Sequence, residues 1–158
     1  MLMERIQVTS ASGMGMSLHG GEWRIHASAV DEGKVIEESL IWLSGGRSEI
    51  MIHKENSTLG APMQTISVKM KGRDAIYSLE RLERESLVSI LENGLGSRID
   101  EDKFLHIRLR LDRLVQGIGI ISNNSDEPVA KGKFKLEVYP GQKPVEVAED
   151  LVMRLIGE

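Results

Sequence analysis

Residues 104–111 read FLHIRLRL, and residues 131–138 read KGKFKLEV. In each, a basic or titratable side chain takes every second position: His106, Arg108 and Arg110 in the first, Lys131, Lys133 and Lys135 in the second. Guanidinium and ammonium groups bind phosphate oxygens, Arg as a planar fork and Lys as a point charge. A row of them matches the repeating charge of a nucleic-acid backbone. A period of two is strand spacing, and successive side chains on a strand point to opposite faces. The cations then share one face, while Leu105, Ile107, Leu109 and Leu111, and Phe134, Leu136 and Val138, take the other. The same rule sends Lys69, Lys71, Arg24 and His26 to the outer side of their own strands. Like charges set opposite each other across strands repel, so the arrangement favours an anionic partner. Solvated lysines also serve simply to keep strands from aggregating, and the pattern alone leaves that alternative open.

Other chemistry finds little support. His19, His26, His53 and His106 lack metal-ligand spacing and neighbouring carboxylate motifs. No G-x-S-x-G nucleophile elbow is present. The stretch GMGMSLHGG lacks the G-K-[ST] ending of a phosphate loop. Glu80, Glu83 and Glu85 alternate with Arg81 and Arg84, which describes a solvated helix face better than an acid–base pair. The eight methionines are scattered as core fillers would be. The expectation is therefore no catalytic residue, no metal and no cofactor.

The elements that would hold the cations can be read from period and punctuation. Residues 1–21 are glycine-rich without a sustained period and read as a flexible extension, with at most a short strand from Arg5 to Thr9. Residues 22–158 read as a single domain. A strand begins at Trp23; Asp31 is a candidate N-cap for a helix carrying Val35, Ile36, Leu40 and Leu43, stopped by Gly45-Gly46. A short strand over Glu49–His53 and another over residues 65–70 follow, joined by the KENSTLGAP loop. Asp74 opens a longer helical stretch reaching Leu91, with a bend or break at Ser86. FLHIRLRL, GIGIIS and KGKFKLEVYP read as three strands, the last two forming a hairpin around Asn123-Asn124-Ser125-Asp126. Pro144 starts a final helix. The order predicts an α+β fold: one mainly antiparallel sheet with helices packed on one face and the other face wet.

Composition sets the outer limits. The chain has 158 residues, enough for one domain with a core, and 41% hydrophobic and 28% charged residues place it among ordinary globular proteins. Its formal net charge is −4, yet the acids fall largely on the helices (Glu37, Glu38, Glu83, Glu149, Asp150), so net charge conceals a segregated distribution. Cysteine is absent, which suits a reducing cytoplasm. No apolar run approaches the ~20 residues that span a bilayer, and the charged start MLMERIQVTS argues against a secretory leader.

Set in that order, several segments are similar to an archaeal family of predicted RNA-binding exosome subunits, whose fold is like that of the ribosomal large-subunit protein that binds five-S RNA. The residues concerned are Leu59-Gly60-Ala61-Pro62-Met63, the run Ser97-Arg98-Ile99-Asp100-Glu101-Asp102, and Leu111-Asp112-Arg113 followed by Gly117. The closing Tyr139-Pro140 and last helix also fit, so that the likeness spans roughly Trp23 to Leu155. The chain departs at Ala61, where the family tends to have Asn, and at Leu114, where it tends to have Gln.

The resemblance implies a ribosomal-protein-like α+β fold and an accessory role in archaeal RNA processing. Together with the cation rhythm it gives a non-catalytic, cytoplasmic RNA-binding protein. Arg108, Arg110, His106, Lys131, Lys133, Lys135, Lys69, Arg24 and His26 contact RNA, and Gly60 and Pro62 shape a loop at the sheet margin. A protein–protein module, an RNA-processing complex subunit or a homodimer without RNA contact is the alternative. No membrane partner is expected.

Overall fold

The computed structural model describes residues 17–28 and 33–157. Strand β1 spans Leu18–Ser28 and helix α1 Gly33–Ser44. A hairpin follows, with β2 Ile50–Asn56 and β3 Pro62–Lys71. Helices α2 (Gly72–Glu80) and α3 (Arg84–Glu92) and a short 3-10 turn, Leu95–Arg98, come next. Strand β4 (Phe104–Arg110), the single-turn α4 (Leu111–Leu114), β5 (Val129–Leu136) and α5 (Pro144–Gly157) complete the order. The five strands form one antiparallel sheet in the order β2-β3-β1-β5-β4. No helix among the described residues is long and apolar enough to cross a membrane.

The sheet is covered on one side. Strands β3, β4 and β5 alternate buried and exposed positions, as a half-covered sheet requires. Trp23, Ile25, Ile66, Val68, Leu105, Ile107, Leu109, Phe134 and Leu136 pack with the helical residues Leu40, Leu43, Leu79, Ile90 and Leu151 in one core. At its centre Trp23 donates its indole N–H to Ser78 Oγ of α2 at 3.0 Å, which satisfies the one polar atom of a fully buried ring. The Phe134 ring meets Trp23 edge-on, with centroids 5.2 Å apart and planes at 77°. Gly132 lies directly beneath: a Cβ there would stand 2.6 Å from the Trp23 ring and 2.8 Å from Phe134. The glycine in KGKFKLEV therefore sits at an inward position where only hydrogen fits.

Four expectations change. The glycine-rich extension was drawn too long, because Leu18–Gly21 belong to β1. A Cβ at Gly21 would fall 2.4 Å from the Phe134 ring, so close packing rather than looseness accounts for that glycine. The long helix breaks at 81–83, not at Ser86. Ser86 sits inside α3 and accepts the Ile121 N–H at 3.0 Å, a tertiary use of a polar residue that looks like a breaker in sequence. The GIGIIS segment is not a full strand and makes no hairpin with β5. It touches the far edge of β4 through one bridge, Leu109 with Ile121, and the α2–α3 junction through another, Leu82 with Gly119. Instead, β5 pairs directly with β4. The chain makes a turn of helix at α4, lays 118–122 along one side of β4, and returns on the other. Arg5–Thr9 and Asp31 lie outside the described residues.

Replacing Gly132 with Ala should overpack the Trp23–Phe134 contact and destabilise the fold by roughly 1–3 kcal/mol. The urea midpoint should drop with the slope unchanged; an unaltered midpoint would show that the core yields freely here.

Candidate nucleic-acid interface

Strand register places the predicted cations in rows across the uncovered face. Arg24, Lys131 and Arg108 are aligned on β1, β5 and β4. The neighbouring row runs Lys69, Glu22, Lys133, His106. Beyond it lie Lys71, Gly20, Lys135 and Phe104. On the other side His26 aligns with Thr65 and His53. Arg24, His26, Lys69, His106, Lys131 and Lys133 are exposed, and Arg108, Arg110 and Lys135 are half-buried along their stems. All nine predicted side chains thus share one surface, because each strand presents its polar half outward.

They are not equally available. Arg110 is held by Asp112, with Nε to Oδ1 at 3.2 Å and a terminal nitrogen to Oδ2 at 2.8 Å; Glu127 is a further 3.6 Å contact. That pairing holds the Asp112 carboxyl below the usual carboxylate range and raises the guanidinium further. His106 Nε2 lies 2.7 Å from Asp100 Oδ2. The hydrogen bonds from His106 and from the Phe104 N–H hold Asp100 below its ordinary value. Arg24 donates to Glu22 at 3.0 Å. Lys135 donates to the Asp102 carbonyl at 2.5 Å. Among the described residues, no ion pair forms at Arg108, Lys131 or Lys69.

The acids on this side are more numerous than the sequence alone suggests. Glu22 stands near the middle, while Asp100, Asp112 and Glu127 line the β4 margin. Asp112 pairs with Arg110 and offsets its charge. The cations left without a carboxylate partner among the described residues include Lys131, Lys133 and Lys135 along β5, with Arg108 beside them on β4 and Lys69 across β1 on β3, and these make up a band.

His26 Nδ1 lies 2.9 Å from Thr65 Oγ1. Partial burial first, then the nearby Lys131 and Arg24 charges, hold its imidazole below the ordinary value. In the free protein this ring resists protonation.

One aromatic was missed. Phe104 precedes Leu105, so alternation itself puts it on the open side, although its apolar character matches the inward half of FLHIRLRL. Its ring carries Lys133 Nζ at 4.4 Å and Lys135 Nζ at 4.7 Å from the centroid. Gly60, with φ of +86°, and Pro62 close the β2–β3 turn. There the Ser57 N–H donates to the Ala61 carbonyl at 2.7 Å and the Gly60 N–H to the Ser57 carbonyl at 2.8 Å. The turn lies at the sheet margin beyond His26, where Leu59 is 95% exposed.

No known family profile matches the sequence, and no curated protein does either. Solved structures do. A crystal structure of a DUF54 protein from Archaeglobus fulgidus is 25% identical and superposes with a TM-score of 0.70, covering 85% of this chain and 99% of that one. A DUF54 protein from Methanothermobacter thermautotrophicus, 18% identical, gives 0.69 over 88% and 98%. A UPF0201 protein from Methanococcus jannaschii, 9% identical, gives 0.60 over 84% and 98%. The chain shares its fold with these archaeal proteins along nearly their whole length.

Proposed function

We propose that this is a non-catalytic RNA-binding protein, an accessory factor in archaeal RNA processing or exosome-related degradation, acting in the cytoplasm and recognising RNA phosphates on its open sheet face. The observation that carries the reading is the band of Arg108, Lys131, Lys133, Lys135 and Lys69, gathered on one surface of an acidic chain. Cross-strand repulsion among these groups is relieved when an anionic polymer lies across them. Each phosphate neutralised also releases condensed counterions. The resemblance of the sequence to an archaeal family of predicted RNA-binding exosome subunits points the same way; the structural neighbours add an archaeal source for the fold.

Filter binding of mixed-sequence RNA at several salt concentrations tests this. Affinity should fall steeply with salt, as expected for about three or more phosphate contacts. Reversing Arg108 and Lys131 together to Glu should weaken binding about tenfold or more and flatten the salt slope by about one per lost contact. Arg110→Glu should do less, since Asp112 and Glu127 already oppose that charge. Salt-insensitive binding, or an unchanged Arg108/Lys131 double variant, would sink the proposal.

A pH effect follows from His26. Its pKa is lowered from 6.5 in the free fold, so protonation there is unfavourable; a phosphate beside it would favour the charged ring. Binding should then take up a proton, and RNA affinity should rise as pH falls through 6.5 and below. His26→Gln, which can keep the Thr65 hydrogen bond, should remove that increment. In the absence of RNA the sign reverses. The unfolded chain binds the proton more readily, so stability declines as pH falls below 6.5.

A protein-interaction reading has one specific observation behind it. Strand β2 lies at the border of the sheet and leaves Met51 55% and Ile52 47% exposed. Sedimentation of the RNA-free protein distinguishes this reading: a concentration-dependent dimer abolished by Ile52→Lys favours it, and a monomer at all concentrations removes it.

A further inference from the structure

The open face holds a depression of about 380 Å³ whose lining includes Gly20, Glu22, Lys69, Phe104, Lys133 and Lys135. Resting on the RNA reading, we infer that this depression is a subsite for one unpaired base of a single-stranded RNA, stacked on Phe104 and read by Glu22. Three features converge there. The floor is bare because Gly20 has no side chain, and none fits: a Cβ would stand 2.7 Å from the Met70 carbonyl oxygen. The wall is a half-buried aromatic ring on a face given mostly to polar groups. The carboxylate of Glu22, 18% exposed, is set between Lys69 and Lys133 in the middle of the cations.

On a phosphate-only surface Phe104 has no use, and Glu22 serves only to hold Arg24 at 3.0 Å. A half-buried ring adds nothing to phosphate binding, and a central carboxylate opposes it. Both suit a base. In the free protein the Lys133 and Lys135 ammoniums lie over the ring. An exposed cation–π contact is weaker than base–aromatic stacking, so a base displaces them. Lys133, released, can then meet a flanking phosphate, while Lys135 keeps its bond to the Asp102 carbonyl. An ionised Glu22 donates no hydrogen bond, and one of its oxygens already accepts from Arg24, so a base edge with two N–H donors is needed to share or displace that contact. Guanine offers two such donors side by side, N1–H and the 2-amino group, which a carboxylate can accept together. Uracil offers a single N–H. Duplex RNA cannot enter, because its bases are stacked and its Watson–Crick edges are taken.

The test uses short uridine-rich oligonucleotides carrying one guanosine, the same oligonucleotides with inosine in its place, and a blunt RNA duplex. Wild-type protein should bind the guanosine strand about tenfold more tightly than the inosine strand, which lacks only the 2-amino group. Glu22→Gln should abolish that difference. Phe104→Leu should lose about tenfold on single strands and under twofold on the duplex, and Phe104→Tyr should restore the single-strand affinity. If guanosine and inosine bind alike and Phe104→Leu matches wild type while the Arg108/Lys131 double variant is still impaired, the subsite is wrong and the phosphate reading stands. If no RNA binds the wild-type chain at all, both fall.

Discussion

A strand can bury only every second side chain, and this sheet has helices on a single side. That constraint sorts the molecule. Trp23, Phe134, Ile25, Leu105 and their neighbours must go toward α1, α2, α3 and α5. Everything between them must go to water. Once the inward half was committed to a dense apolar layer, tight enough that Gly132 has no room for a methyl, the outward half was free to carry charge. The acids collected on the helices leave the protein acidic overall, yet its uncovered sheet is basic.

Charge on that surface is graded. At the β4 margin, Asp112 and Glu127 flank Arg110, and Asp100 takes His106. Between those two on the same strand, Arg108 meets no carboxylate among the described residues, and neither does Lys131 beside it on β5. Rim carboxylates of this kind confine the positive potential to a band and discourage anions from sliding off its edge. Glu22 is the exception to the grading. Its position among lysines is what separates a plain electrostatic platform from one able to tell one base from another.

The fold was legible where local period and tertiary environment agree. Residues 62–71, 104–110 and 129–136 alternate because the sheet is half covered, and those segments appear as β3, β4 and β5 with the expected facing. Legibility failed where a residue's role is set by something distant. Nothing near Ser86 in sequence reveals that it will accept an N–H from Ile121, and nothing near Ile118–Ser122 reveals that this β-like run makes only isolated bridges. His19-Gly20-Gly21 looked like loop because its glycines are spaced for contacts with Phe134 and Met70, far along the chain. The cations were readable as a set; their partners were not. The pairing of Arg110 with Asp112 is local, but that of His106 with Asp100 depends on the turn at 100–103, which folds back so that Asp100 also receives the Phe104 N–H.

The two borders of the sheet differ. Beside β4, the Asp100 N–H reaches the Phe104 carbonyl, and residues 120–122 exchange backbone hydrogen bonds with Arg108 and Arg110, so that flank is stoppered at both ends. The β2 flank has no such stopper among the described residues. Self-association through backbone pairing would therefore be self-terminating. Two copies meeting flank to flank would use up the one border left vacant by the described residues, giving a closed pair instead of a filament. Such a pair would lay two positive bands along one continuous ten-strand floor.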